Sequence, residues 1–245
     1  MNMQNYHFDY YQYTKKINKK SKLSFLVLIL LSITLLITAI VIKPQNTHKI
    51  DFYFVEICSF PTYNQANILS QEIQNSGGAG YIYFDGNYKV LASYYATESE
   101  AEKVVENISN QYPKSCTYTL STHDVRYLKV NSSLKDIFLS MSDVCLTSFK
   151  KLSSLLISFD KNEISSSSLK VEFKQLSHEF ETISSKFLNL TNKDPKFNLH
   201  KEYILNLSTA FANFYSFEKT NNPNSYLKYN LVSLVVNYHS FISLV

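Results

Sequence analysis

The chain has 245 residues, 45% of them hydrophobic and 18% charged, the make-up of a folded protein of one or two domains that carries a membrane segment. Its formal charge of +4 is accounted for by five lysines set against Asp9 in residues 1–22. Residues 23–245 balance positive and negative groups, which leaves no basic patch for nucleic acid. The abundance of Asn, Lys, Ser, Tyr and Ile, with one Arg and no Trp, reads as codon bias rather than as function.

Residues 1–22 form a polar tail in which Lys15, Lys16, Lys19, Lys20 and Lys22 crowd against an apolar run. Tyr10, Tyr11 and Tyr13 beside them suit an interfacial anchor better than base stacking. Residues 23–42 are apolar apart from Ser and Thr. At about 1.5 Å per residue a helix over this run spans roughly 30 Å, the hydrocarbon thickness of a bilayer, and predicts a transmembrane helix. A cleaved signal peptide usually has an apolar core of only about 7–15 residues and a small-x-small site, which is missing before Lys43-Pro44. The lysine cluster keeps the tail in the cytoplasm and places the chain after residue 43 outside. Residues 43–49 read as a linker.

A repeat then begins. Tyr53, Val55, Phe60, Thr62, Ala66, Leu69, Ile73, Asn75 and Tyr83 are matched by Tyr88, Val90, Tyr95, Thr97, Ala101, Val104, Ile108, Asn110 and Tyr118, each 35 positions on. Each copy runs from an alternating strand through a helix-spaced stretch to an aromatic-rich strand, which makes two βαβ units. Gly77, Gly78 and Gly80 close the first helix, Asp85-Gly86 signals a hairpin, Thr97 with Glu100 forms a capping box, and Pro113 closes the second helix. The units predict a four-stranded antiparallel βαββαβ sheet (ferredoxin/RNP-like) in the order 4-1-3-2, with both helices on one side. Alternation places Phe54, Glu56, Tyr81, Tyr83, Lys89 and Leu91 on the bare face, with Tyr94 near its rim. That face is either a binding surface or is packed against the rest of the chain.

Residues 50–121 resemble the bacterial SPOR domain. Its first strand typically reads Tyr-Tyr-Val-Gln-Val-Gly-Ser-Phe; here that stretch is Tyr53-Phe54-Val55-Glu56-Ile57-Cys58-Ser59-Phe60, echoed by Tyr88 to Tyr95. Glu56 stands where the family usually has Gln, and Cys58 and Ser93 where it usually has Gly. The resemblance implies binding of peptidoglycan glycan strands stripped of peptide stems, at division or sporulation septa. Phe54, Glu56, Tyr81, Tyr83, Lys89, Leu91 and Tyr94 would then be the glycan-binding residues. Aromatic and apolar surfaces can lie on sugar rings, and Glu56 and Lys89 can bond to hydroxyl and acetamido groups.

Three cysteines make no complete disulfide framework. The expected sheet order brings Cys58 and Cys116 into one neighbourhood, where a bond and free thiols are both open; buried free thiols are the expectation, with Cys145 in the core. After a connector over 122–131, residues 132–245 lack glycine and carry four helical stripes: Leu134 to Phe159, Leu169 to Leu190, Ile204 to Phe214, and Leu227 to Val245. Short polar breaks between them predict an antiparallel four-helix bundle. His178, Glu179 and Glu181 flank the core position Phe180 and have no matching ligand pair, so no metal and no cofactor is expected. No Gly-x-Ser-x-Gly, phosphate loop or Cys-x-x-Cys is present.

The sequence therefore reads as α+β, with an N-terminal transmembrane helix, a SPOR-like domain and a C-terminal all-α helical bundle. The expected protein is non-enzymatic and membrane-anchored, with a single span. Its expected partners are peptidoglycan glycan strands and, through the bundle, another envelope protein. The alternative is an envelope scaffold whose two halves bind only proteins.

Overall fold

The computed structural model describes residues 48–127, 132–190 and 195–243. They fold as β1 (Lys49–Phe60), α1 (Tyr63–Asn75), β2 (Tyr81–Asp85), β3 (Asn87–Tyr95), α2 (Glu98–Ile108), β4 (Cys116–His123), a 3-10 turn (Val125–Tyr127), α3 (Ser132–Asp160), α4 (Ser166–Leu188), α5 (Pro195–Asn213), a second 3-10 segment (Phe214–Lys219) and α6 (Pro223–Ser243).

The two βαβ halves build one sheet, ordered β2-β3-β1-β4 with every neighbouring pair antiparallel. Local chemistry explains the punctuation. Thr97 Oγ1 accepts from the Glu100 N–H while the Glu100 carboxylate accepts from the Thr97 N–H, so two orphan donors at the start of α2 are satisfied reciprocally. The turn between β2 and β3 uses Gly86 at φ +74°. Gly80 lies at φ +57°, where a Cβ would stand 2.3 Å from the Ser70 carbonyl oxygen, and its own carbonyl accepts from Ser70 Oγ. Only glycine lets the chain turn this closely against α1.

Each face of the sheet packs on its own cluster, the second over part of its length. On one face Val55, Ile57 and Val90 pack under Ala66 and Ile73 of α1 and Ala101 of α2. On the other, Phe52, Phe54, Leu91, Tyr94 and Leu120 join a larger core with α3 to α6. Phe52 meets the rings of Phe149 in α3 and Tyr238 in α6 at 6.2 and 5.9 Å. Burying such a face is worth about 1.5–3 kcal/mol per large side chain, and a sheet face this apolar is stable only against another layer.

The four long helices form a ring in which α3 packs on α4, α4 on α5, α5 on α6 and α6 back on α3. Stacked phenylalanines fill it, among them Phe180 on Phe211 at 4.7 Å and Phe187 on Phe197 at 4.9 Å. The ring and the sheet meet along α6. Asn222 Nδ2 donates to the Gln74 carbonyl at 2.7 Å, and Lys228 Nζ donates to the Gly77 carbonyl at 3.0 Å while pairing with Asp160 at 2.6 Å. Farther along, His239 Nε2 lies 3.1 Å from the Ser121 carbonyl oxygen. The lysine sits just beyond the C-terminal end of α1, where unsatisfied carbonyls favour a cation.

The expected fold class is corrected here. Among the described residues no helix is long and apolar enough to cross a membrane, so a transmembrane helix is no part of the described fold. The tail 1–22, the run 23–42 and most of the linker lie outside the described residues, and Lys49, expected in the linker, already opens β1. The sheet and the helices also share one core within a single compact unit beginning at His48.

Candidate functional site

Five of the seven predicted glycan-binding residues are not available as an open surface, and Glu56 is one of them. Phe54 and Leu91 are fully buried and Tyr94 is nearly so. Phe54 and Phe52 both pack on the Tyr94 ring, and Ser153 of α3 donates to the Tyr94 carbonyl at 3.4 Å. Tyr81 is half-buried against Tyr229 of α6, with ring centroids 5.1 Å apart. The physical reason is that α3 and α6 cross the sheet at the end built from Phe52, Tyr81, Tyr94 and Leu120. There the apolar surface expected to meet a ligand is used to seat the helices.

The opposite end of the same face is different. Glu56, Tyr83 and Lys89 come together there, joined by Tyr118, Asp85 and Cys116. Lys89 Nζ lies 3.3 Å from Glu56 Oε2 and 4.8 Å from the centre of the Tyr118 ring, an ion pair and a cation–π contact made by one ammonium. The Tyr83 and Tyr118 rings are 5.9 Å apart, and the Tyr118 hydroxyl donates to Asp85 Oδ2 at 3.0 Å. Tyr83, Lys89 and Tyr118 are partly exposed, Asp85 and Cys116 exposed, and Glu56 is buried beneath them.

Register explains how β1 and β3 supply the floor. Glu56 pairs with Leu91 on one side and Cys116 on the other, and the β1–β3 register shifts on both sides of Glu56. These irregularities lie where Lys89 reaches back over the strand to Glu56. The two tyrosines come from β2 and β4, the two edges of the sheet, and lean toward one another over that pair.

Burial raises both phenol pKa values. For Tyr83 the Asp85 charge adds to it, and for Tyr118 the hydrogen bond to Asp85 does. Both hydroxyls therefore stay protonated at neutral pH; the Tyr118 proton goes to Asp85, which leaves the Tyr83 hydroxyl to donate to a ligand. The Cys116 thiol is also pushed up, by burial first and by the Glu56 charge second. The arrangement offers two aromatic surfaces, the Tyr83 hydroxyl as a donor, the Tyr118 hydroxyl oxygen as an acceptor and the exposed Asp85 carboxylate, with Glu56 held beneath them by Lys89. Such a set can hold a neutral polyhydroxylated chain by stacking and hydrogen bonding.

Tyr118 and Asp85 were absent from the sequence-derived site. The signal for Tyr118 was in the repeat itself, because it is the position that duplicates Tyr83. The duplication brings the two equivalent tyrosines to one place from opposite edges. Nothing in the pattern marked Asp85 beyond its role in the hairpin turn.

Cys58 is half-buried, Cys116 exposed and Cys145 buried, all three as free thiols, so burial holds for Cys145 and the expectation is corrected for Cys58 and Cys116. Cys116 opens edge strand β4 at the end the helices do not reach. His178 and Glu179 face solvent on α4, and Glu181 accepts from Ser177 Oγ at 3.2 Å. His200 is buried between the rings of Phe138 and Phe241, at 5.2 and 5.5 Å, a packing role. Among the described residues no group of three His, Cys, Asp or Glu side chains is placed to hold a metal ion.

Comparison of the chain with protein-family models, with curated proteins and with solved structures returns no match, so the resemblance to the SPOR domain rests on the first-strand residues and the internal repeat alone.

Proposed function

We propose that the protein recognises peptidoglycan glycan strands without cleaving them, through the open end of the sheet rather than through its whole face. The observation that carries this reading is the pair Tyr83 and Tyr118, partly exposed side by side over the Glu56–Lys89 pair. Aromatic surfaces with neutral donors and carboxylate acceptors suit sugar rings, hydroxyls and acetamido groups. Glu56 is tied to Lys89 and Asp85 to the Tyr118 hydroxyl, which supports binding over acid–base chemistry. The proposed location, at the cell membrane with the chain after residue 43 outside, rests on the lysines of residues 15–22 and the apolar run after them. The proposed role is at a division or spore septum.

The test is co-sedimentation of the solubilised full chain with sacculi treated with amidase to remove peptide stems. Enrichment over intact sacculi, lost in the Tyr83→Ala/Tyr118→Ala double variant, is the expected result. Equal recovery on both kinds of sacculi removes the glycan reading.

One observation favours a second reading, an envelope scaffold that binds only proteins: Phe54, Leu91 and Tyr94 are occupied by the chain's own helices. Under that reading the double variant still reaches the septum and still captures the same envelope partner.

A further inference from the structure

The β2–β3 hairpin carries aromatic side chains on both sides of the sheet, and the second group is more exposed than the first. Phe84 is 60% exposed and Tyr63, the first residue of α1, is 53% exposed. Both rings contact Tyr88, at 4.8 and 5.8 Å between centroids. Phe84 and Tyr88 are register partners flanking the hairpin turn, and Tyr88 packs on the α1/α2 side of the sheet. The three rings thus form a cluster just past the start of α1, on the face away from Tyr83 and Tyr118.

Two large aromatic side chains more than half exposed, one beside the hairpin turn and one at the start of α1, contribute little to the fold, because folding removes little of their surface from water. Their surroundings narrow what could cover them. Thr62, Asn64, Gln65 and Asn87 next to them in sequence are exposed and neutral. Asp85 is engaged with Tyr118 and Lys89 with Glu56, on the opposite face. With no cation in the cluster, a phosphate polymer has nothing to neutralise it. Rings bordered by amides and a hydroxyl suit a neutral sugar. Continuity points the same way: Tyr83 and Phe84 are consecutive residues of one strand, so their side chains point to opposite faces. A polymer that leaves the Tyr83/Tyr118 floor over the hairpin tip meets Phe84 next.

We propose that Tyr63, Phe84 and Tyr88 form a second sugar-stacking subsite, which holds the same glycan strand on the far side of the β2–β3 hairpin. This rests on the glycan reading of the Tyr83/Tyr118 floor and adds to it a requirement for strand length. A short fragment occupies the floor alone, whereas a long strand wraps the tip and is held at both places.

The experiment measures affinity of the solubilised full chain for stem-free glycan, as short fragments and as long strands, by calorimetry. The Tyr63→Ala/Phe84→Ala double variant should weaken long-strand binding by about fivefold or more and leave short-fragment binding within about twofold. Phe84→Tyr should retain long-strand binding, and Tyr83→Ala/Tyr118→Ala should weaken both. Because Tyr63 and Phe84 are exposed, thermal unfolding of their variants should match the parent; if the double variant unfolds early, Phe84→Gln alone is read against the same criterion. Unchanged long-strand affinity in these variants, with Tyr83 and Tyr118 still required, overturns the second subsite and leaves the proposed function standing. A parent protein that binds neither length overturns both.

Discussion

Asp124, just after β4, shows how much a single buried carboxylate can fix. It accepts from the Arg126 backbone N–H at 2.9 Å and from the guanidinium Nε at 2.9 and 3.0 Å, with a further contact from Nη2. These bonds, the guanidinium ones first, hold its carboxyl below the usual aspartate range against the opposing effect of burial. A carboxyl pKa lowered by folding contributes stability that is present at neutral pH and lost as pH falls through the lowered value. Asp124→Asn is expected to cost about 1.5–3 kcal/mol at neutral pH, with the gap to the parent closing in strong acid, as measured by urea unfolding at a series of pH values. His239 behaves in the opposite chemical sense. Burial lowers its pKa and the bond to the Ser121 carbonyl only partly offsets this. The folded state therefore resists protonation of His239, so its contribution is complete above the ordinary histidine value near about 6.5 and declines as pH drops through it. His239→Gln should flatten the pH dependence of thermal stability between about pH 7 and pH 5.

Among the elements, α2 and α6 mark the two ends of what periodicity can tell. The capping box of α2 was readable from Thr97 and Glu100 because its chemistry is local, three residues apart. Thr97→Ala should destabilise the protein by about 1 kcal/mol in denaturant unfolding, and Thr97→Ser should restore most of it. For α6 a single stripe, Leu227, Leu231, Leu234, Tyr238 and Phe241, accounts for only one side. Val232, Val235, Val236 and Ile242 are buried as well, so the buried side takes in more than half of the helix's circumference. A helix of that kind lies between two layers, and α6 lies between the helical ring and the sheet. That composition was the available sign that the sheet face would be covered. An amphipathic stripe states that one side is buried and is silent on how many.

For the whole molecule the consequence is cooperativity. Phe52 of β1, Phe149 of α3 and Tyr238 of α6 touch one another, with Phe149 and Tyr238 centroids 5.3 Å apart. The Ser142 and Tyr238 hydroxyls share a hydrogen bond at 2.6 Å inside the same core. Sheet and helices should therefore unfold together: circular dichroism of the helices and hydrogen exchange of the β1 amides are expected to report one coincident transition. Phe149→Ala should lower stability by about 3–5 kcal/mol and shift both signals equally. Two separated transitions would mean that the shared core does not couple the layers.

By itself, the sequence determined the duplicated βαβ unit, the strand order that it dictates, the hairpin, the cap and the four long helices, because each depends on spacings of a few residues or on a repeat. Which end of the sheet is left open was decided only in three dimensions. Phe54 and Leu91 sit on their strands like ligand-facing residues, and alternation cannot distinguish a face that meets solvent from one that meets α3 and α6, since both ask for the same apolar side chains; Tyr94, three positions beyond Leu91, joins that face only through the register shift between β1 and β3. The partnership of Tyr83 with Tyr118 likewise needed the sheet, whose folding carries two positions 35 residues apart to one spot.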